Sequence, residues 1–252
     1  MNGAGSLRII GLGPGGAEWL TPEALKWIAA ASDLIGYGPY LERLPAREGQ
    51  TRHASGNGAE MERARYALQM VEGGRHAAIV SGGDPGIFAM AAAVFEAVEE
   101  GKPAWRNLDI LVSPGISAMQ AAAARAGAPL GHDFCAISLS DNLKPWPVVE
   151  RRLAAAADAD FVIALYNPAS HARPSRIHDA FALLRSLKPP ATPVIFARAV
   201  GHPDENISIE TLSAADPARA DMSTLLIIGS RATRVVARDT GAPFVYTPRR
   251  AA

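Results

Sequence analysis

Three observations predict an α/β protein with two αβα domains and mostly parallel sheets. Short apolar runs alternate with stretches of helical periodicity along the 252 residues, which is typical of parallel strands covered by helices. Three of the strands run into loops of small residues that open a helix. The segment 127–132 contains two glycines and a proline, so we expect one domain over residues 1–129 and a second over 130–252.

The first strand and its loop lie near the amino terminus. Leu7 to Leu12 is apolar and runs into the glycine-rich segment 11–16. Thr21 and Pro22 then provide an N-cap and a first helical residue. Leu25 and Ile28 of the helix that follows share one face, so this segment predicts a strand, a loop and a helix that packs on the sheet.

The glycines of this first loop also fit the dinucleotide-binding pattern G-x-G-x-x-G, so an NAD(P)-binding oxidoreductase or a nucleotide-sensing module is an alternative. Two features oppose it. Residues 18–21 separate the glycines from the helix, and Asp33 precedes the next candidate strand, Leu34 to Tyr37, instead of ending it. In dinucleotide-binding folds the helix follows at once and the acid ends the second strand.

The second loop is the centre of the predicted first domain. Residues 50–58 are polar and predict a loop, and Glu60 to Glu72 predicts a helix. A strand over 77–80 then leads into Ser81-Gly-Gly-Asp-Pro85. We expect Asp84 to be the N-cap of a helix that reaches Glu100 and packs through residues including Phe95. Because ligands bind outside the carboxyl ends of parallel strands, this loop predicts the floor of a small-molecule site.

A third loop repeats the pattern, because the strand Leu108 to Val112 leads into residues 113–117 and an alanine-rich helix to Ala126. The remaining residues predict further strands and two helices. The strands are 134–139, 161–165, 193–197, 207–212 at a sheet edge, and 224–228, and the helices are 147–157 and 173–187.

Composition narrows the class of protein. The 25 basic residues balance the 25 acidic ones, so neither a nucleic-acid partner nor a membrane surface is indicated. The single cysteine, Cys135, excludes a disulfide framework and a cysteine-ligated cluster, and we expect no metal site. The amino terminus has no signal-peptide pattern, so the sequence predicts a cytoplasmic protein.

Four motifs together resemble the S-adenosylmethionine-dependent tetrapyrrole methylases. In chain order they are Gly11-Leu-Gly-Pro-Gly15 with Leu20-Thr21, Ser81-Gly-Gly-Asp-Pro85 with Phe88, Ser113-Pro-Gly-Ile-Ser117, and Met222-Ser-Thr-Leu225. Within the family, residues 138–146 and 164–168 are similar to enzymes of cobalamin synthesis that act at C17.

The resemblance implies the tetrapyrrole methylase fold, with a ligand cleft between the two domains, and a homodimer. It also implies methylation of precorrin-3B at C17 with contraction of the macrocycle to precorrin-4. A cobalt-precorrin-3 substrate or another tetrapyrrole carbon remains an alternative.

The resemblance also suggests site residues. S-adenosylmethionine, with S-adenosylhomocysteine as product, would contact residues of the second and third loops and of the second domain: Gly82, Gly83, Asp84, Ser113, Gly115, Ser117, Tyr166, Asn167 and Thr224. The acidic tetrapyrrole would contact the first loop and cationic side chains: Pro14, Gly15, Lys144, Arg173 and Arg198. His171, Arg176 and His202 are further cationic candidates.

Two steps make different chemical demands. Methyl transfer from a sulfonium needs alignment and exclusion of water, without a strong acid or base. Ring contraction needs proton shifts, so one positioned acid or base is expected. The catalytic candidates are Asp84, Asp141 and His202, and the sequence does not choose among them.

Overall fold

The computed structural model of the chain describes residues 5–169 and 175–250. It divides into two compact units, Met1–Ala118 and Met119–Ala252. Each unit contains one five-stranded sheet, in agreement with the predicted α/β class. The domain boundary that the sequence suggests at residue 129 stays a prediction.

The sheet of the first unit is parallel throughout, in the order β3-β2-β4-β1-β5. Its strands are β1 (Ser6–Gly11), β2 (Asp33–Tyr37), β3 (Thr51–Ser55), β4 (His76–Ser81) and β5 (Asp109–Ser113). The helices are α1 (Pro22–Ala30), α2 (Gly38–Glu42), α3 (Glu60–Glu72) and α4 (Met90–Glu100). Ile9 packs with α3 and α4, whereas its neighbour Ile10 packs with α1 and α2. Successive strand residues point to opposite faces, so helices cover both faces of this sheet.

Three expectations about this unit are wrong. Residues 51–55 form the edge strand β3 and not a loop; an edge strand that is half exposed tolerates the polar residues that suggested a loop. Leu25 and Phe95 are each 49% exposed instead of buried. In α4 the buried stripe runs through Met90 and Val94, and the rotation of 100° per residue carries Phe95 off it.

The second unit has a mixed sheet in the order β10-β9-β11-β8-β7, with a separate three-stranded sheet β12-β13-β6. Its strands are β6 (Gly127–Ala128), β7 (Phe134–Ser138), β8 (Val162–Tyr166), β9 (Pro193–Arg198), β10 (Asn206–Thr211), β11 (Thr224–Ile228), β12 (Arg234–Val236) and β13 (Phe244–Tyr246). The helices are α5 (Ala118–Ala126), α6 (Trp146–Asp158) and α7 (Arg176–Leu187).

Only the pairing of β7 with β8 is parallel in this five-stranded sheet, because β11 runs antiparallel to both β8 and β9. The edge strand β10 was predicted, and it also pairs antiparallel with β9. The turn between β9 and β10 is too short for a crossover connection, so an antiparallel hairpin forms. The small sheet was not predicted, since its strands have two or three residues each.

A buried ion-pair cluster fixes the amino end of β2. Asp33 is fully buried and accepts hydrogen bonds from Arg75 (2.8 Å twice), from Ser32 (2.6 Å) and from the His53 ring (2.9 Å). The glycines of the first loop lie at the opposite, carboxyl edge of this parallel sheet. Asp33 therefore has a structural role and does not occupy the position of a ribose-binding acid.

This cluster predicts an acid-sensitive contribution to stability. Burial opposes ionisation, but the hydrogen bonds from Arg75, Ser32 and His53 outweigh it and lower the pKa of Asp33 from 3.8 to about 2. Since the folded state has the lower pKa, the stabilisation of about 2 kcal/mol is present above pH 4 and is lost as the pH falls toward 2. We expect Asp33→Asn to lower the free energy of unfolding in urea at pH 7 by about that amount.

The exposed pair of Asp109 with Arg8 (2.7 Å) provides the control. Asp109→Asn should cost less than about 1 kcal/mol, as exposed ion pairs do. The difference between wild type and Asp33→Asn should shrink on going from pH 7 to pH 2.5. A difference that is the same at both pH values would contradict the assignment.

Candidate functional site

The three small-residue loops meet at the carboxyl edge of the first sheet. Register places Gly11 opposite Ser81 and Ile10 opposite Ser113. Beyond the strand ends, Gly13 and Gly83 exchange two backbone hydrogen bonds, of 3.1 and 3.0 Å. Both have a left-handed φ, of 64° and 65°, a conformation that favours glycine. The first and second loops are therefore joined as one backbone structure.

The third loop packs directly on the other two. A Cβ atom at Gly115 would overlap the carbonyl oxygen of Gly83 and lie 2.9 Å from the Cα of Gly11. The Asp84 carboxylate adds a polar link, since Oδ2 accepts from the Gly115 amide (3.1 Å) and Oδ1 from the Gly86 amide (2.7 Å). Only residues without side chains allow this close approach of three loops.

Asp84 does not cap α4, and that prediction is wrong. The helix begins at Met90, with Ala89 at the N-cap position, and residues 84–89 form turns before it. Phe88 has a φ of 52°, which a right-handed helix does not accommodate. The carboxylate is instead shared between the second and third loops, so it stabilises the site through backbone amides.

The predicted serines of the third loop are turned into the protein. Ser113 is fully buried and its hydroxyl donates to Oε2 of Glu23 on α1 (2.8 Å). Ser117 is 1% exposed. Glu23 thus fixes the third loop to α1, a contact between residues 90 positions apart that the sequence pattern did not indicate.

Two side chains that the sequence did not single out support these loops. The guanidinium of Arg43 donates to the backbone carbonyls of Leu12 (2.9 Å), Gly13 (3.0 Å) and Gly15. Burial lowers the pKa of Arg43. The ring of Tyr40 lies against the second loop, so that a Cβ at Gly82 would be 2.7 Å from its Cζ. The Arg43 guanidinium therefore holds the loop that contains Pro14 and Gly15. Gly82 has no side chain, and this leaves room for the Tyr40 ring.

In the second unit, register brings several predicted residues to one edge of the sheet. Tyr166 lies opposite Ser138, and Thr224 lies opposite Arg198. Tyr166 accepts a hydrogen bond at its hydroxyl from the Met119 amide (3.1 Å). Asn167, which has a φ of 52°, follows β8 and donates from Nδ2 to Ser138 Oγ (2.9 Å). Tyr166, Asn167 and Thr224 thus lie at one edge of this sheet.

The polar groups of Thr224 and Arg198 belong to one network. Thr224 donates to Asp221 Oδ1 (2.7 Å), and Arg198 pairs with Asp221 (2.9 Å) and Asp204 (2.8 Å). Burial raises the pKa of Asp221, but hydrogen bonds from Thr224 and Arg198 produce a net lowering. The hydrogen bonds that Arg198 donates to Asp221 and Asp204 raise the pKa of Arg198. Arg198 therefore already has two carboxylate partners.

The remaining candidates lie apart from that network. Asp141 accepts from Arg176 Nε (2.8 Å), and the Arg176 guanidinium lies 4.8 Å from the Trp146 ring centre. Burial, with the charge of Arg152, lowers the pKa of half-buried Lys144. His202 is exposed in the turn after β9. Arg173 and His171 lie outside the described residues.

Residues 5–169 and 175–250 contain no group of three or more His, Cys, Asp or Glu side chains that could hold a metal ion. Over the same residues, no helix combines the length and apolar character needed to cross a bilayer.

Comparison with known proteins identifies a family. The model of the Tetrapyrrole (Corrin/Porphyrin) Methylases matches residues 6–216. A precorrin-3B C(17)-methyltransferase from a Sinorhizobium species is 56% identical over 245 residues, covering 97% of this chain and 96% of that protein. The crystal structure of the methyltransferase CobJ superposes with a TM-score of 0.92 at 48% identity, covering 97% of this chain and all of that one.

A more distant solved structure shares the fold. A uroporphyrin-III C-methyltransferase from Thermus thermophilus, complexed with S-adenosylhomocysteine, has a TM-score of 0.65 at 20% identity. It covers 89% of this chain and 92% of its own. The architecture is therefore common to proteins that differ in most of their residues.

Proposed function

The chain belongs to the tetrapyrrole (corrin/porphyrin) methylases, and we propose that it transfers a methyl group from S-adenosylmethionine to C17 of precorrin-3B, with contraction of the macrocycle to precorrin-4. The observation that carries this proposal is the 56% identity, over nearly the whole of both chains, with a precorrin-3B C(17)-methyltransferase. The superposition on CobJ supports the same activity.

S-adenosylmethionine is the proposed methyl donor. At the carboxyl edge of the first sheet, Gly82, Gly83 and Gly115 leave the backbone uncovered by their own side chains, and the Asp84 carboxylate lies beside them. Such a cradle fits a ligand that is bound through backbone contacts and carries ammonium and sulfonium charges. We assign cofactor contacts to these residues and to Tyr166, Asn167 and Thr224. Ser113 and Ser117 are buried, so we assign them a supporting role under this cradle and not a direct contact with the donor. When bound, the donor supplies the electrophilic methyl group.

The first loop is the proposed tetrapyrrole wall. Pro14 and Gly15 lie in a loop that Arg43 holds through three carbonyls, so it can present a fixed surface to a flat macrocycle. Precorrin-3B carries several carboxylates and needs cationic donors, for which Lys144, Arg173 and Arg198 are proposed. A substrate carboxylate at Arg198 would have to displace or join Asp204 and Asp221.

We also propose a cytoplasmic homodimer without a nucleic-acid or membrane partner. The balanced charge of the chain supports this absence of polyanionic partners. The edge strand β5 exposes Leu111 (48%) and Val112 (37%), two apolar side chains at a sheet edge that a second copy could cover. Light scattering coupled to size exclusion measures the oligomeric state.

Two measurements test the proposed function. S-adenosylhomocysteine should raise the melting temperature of the protein, and neither NAD nor NADP should do so. Incubation with S-adenosylmethionine and precorrin-3B should give a product heavier by one methyl group, with the absorbance of a contracted ring. Stabilisation by NAD alone would support the oxidoreductase alternative, and an uncontracted product would refute the proposed reaction. Activity with the cobalt-containing substrate alone would identify that alternative.

A further inference from the structure

The proposed reaction needs an acid or base for ring contraction, and the three sequence candidates are poorly placed for it. Asp84 uses both carboxylate oxygens to accept backbone hydrogen bonds. Asp141 is paired with Arg176. His202 is exposed on a turn. None of the three therefore combines a position directly against the glycine loops with a polar atom that has no hydrogen-bond partner.

Tyr40 has that placement. It lies in α2, directly after β2, at the carboxyl edge where the three loops meet. A Cβ at Gly82 would be 2.8 Å from the Tyr40 hydroxyl oxygen and 2.9 Å from Cε1, so the phenol lies against the backbone of the second loop. The ring of Tyr37 packs edge-on against it, with 5.4 Å between ring centres, and this contact fixes the ring orientation.

The hydroxyl of Tyr40 is available to a ligand. Within the described residues it has no hydrogen-bond partner. Among those residues, the buried side-chain oxygen and nitrogen atoms without a partner are Gln50 Oε1 and Thr192 Oγ1. The Tyr40 hydroxyl has no partner and is not one of these buried atoms, so it reaches solvent. A half-buried phenol usually satisfies its hydroxyl. Here the hydroxyl has solvent contact beside the loop to which the cofactor is assigned.

We propose that Tyr40 donates the proton that ring contraction requires, a role that rests on the proposed function. The carbon–carbon bond of the macrocycle shifts to a carbon that bears oxygen, and the C–O bond of that carbon breaks with its electron pair left on the oxygen. The Tyr40 hydroxyl protonates this oxygen. The carbon from which the bond shifts carries a hydroxyl group. This hydroxyl group becomes a carbonyl, and its proton goes to solvent. The phenolate is reprotonated from solvent, so no oxidant or reductant takes part.

The charged groups around Tyr40 agree with a donor that is protonated at neutral pH. Burial raises its pKa, and the neighbouring Tyr37 acts in the same direction. Arg43, just after α2, and Arg63 of α3 oppose this, but the net pKa is above the ordinary value of 10.0. The phenol therefore carries its proton throughout the physiological range.

The test separates methylation, read by mass, from contraction, read by absorbance. In Tyr40→Phe we expect methyl addition to continue while the rate of contraction falls about 100-fold, the usual minimum for loss of a general acid. Melting-temperature shifts with S-adenosylhomocysteine should match wild type, because the ring still packs on Gly82. In wild type the contraction rate should fall at alkaline pH, and Tyr40→Phe should lack this limb.

Tyr37→Phe is the matched control, since it removes a phenol hydroxyl from the adjacent ring, and it should contract the macrocycle at the wild-type rate. If Tyr40→Phe methylates and contracts in the wild-type ratio, Tyr40 is not the donor. An equal loss in both tyrosine variants would also overturn the proposal, because it would indicate a packing effect. Wild-type protein that leaves precorrin-3B unmethylated would refute the proposed function itself.

Discussion

Replacement of Gly115 by alanine is expected to abolish binding of S-adenosylhomocysteine and to lower the free energy of unfolding by about 3 kcal/mol. The added methyl group would overlap the carbonyl oxygen of Gly83 and crowd the backbone of Gly11. Backbone atoms on both sides cannot rotate away as a flexible side chain would, so the loops must separate. Separation would also break the hydrogen bond from the Gly115 amide to Asp84. Urea unfolding and melting-temperature shifts with the ligand measure both effects.

Gly56→Ala is the matched control for this substitution. Gly56 also follows a strand at the carboxyl edge of the first sheet, but a Cβ there would have nothing within 4 Å. Its stability should stay within about 1 kcal/mol of wild type, since the same methyl group meets open space. If Gly115→Ala binds the ligand as wild type does, the close packing of the three loops is not needed for the site.

The meeting of the loops could be predicted from the sequence because it follows from topology. Each loop comes directly after a short apolar run, and alternation with helices makes the strands parallel. Parallel strands bring their carboxyl ends to one edge, so Gly11, Gly83 and Ser113 had to lie near one another. The same reasoning placed Tyr166 and Asn167 after a strand of the second unit. It could not foresee that β11 runs antiparallel and contributes Thr224 from its first residue.

Contacts made by side chains over long separations could not be predicted in this way. Arg43 contacts carbonyls 28 to 31 positions away, and no local pattern marks it among the other arginines. Arg198 was selected because it follows a predicted strand, but sequence spacing does not show that Asp204 and Asp221 turn back onto it. Asp84 illustrates a third limit, because Asp-Pro usually begins a helix, whereas the left-handed Phe88 prevents one here.

Replacing Arg43 by methionine is expected to cost about 3 kcal/mol of stability and to raise the KM for precorrin-3B about tenfold or more. The substitution removes the side-chain donor from the carbonyl groups of the buried residues Leu12 and Gly15, whereas the Gly13 carbonyl keeps the amide of Gly83. Each unpaired buried carbonyl costs about 1–3 kcal/mol before relaxation. A loop that is no longer held also presents the proposed tetrapyrrole wall in several positions, and small misplacements of binding groups reduce turnover strongly. Amide hydrogen exchange over residues 12–16 should accelerate.

Arg47→Met is the matched control, because Arg47 lies four residues further along and is exposed, so its loss should change neither stability nor KM. Arg43→Lys distinguishes charge from geometry. A lysine keeps the cation but lacks the forked guanidinium that reaches several carbonyls at once, so we expect it to restore only part of the lost stability. Full recovery in Arg43→Lys would show that positive charge alone organises the loop, and wild-type exchange rates in Arg43→Met would show that the loop is held by its bonds to Gly83 without the arginine.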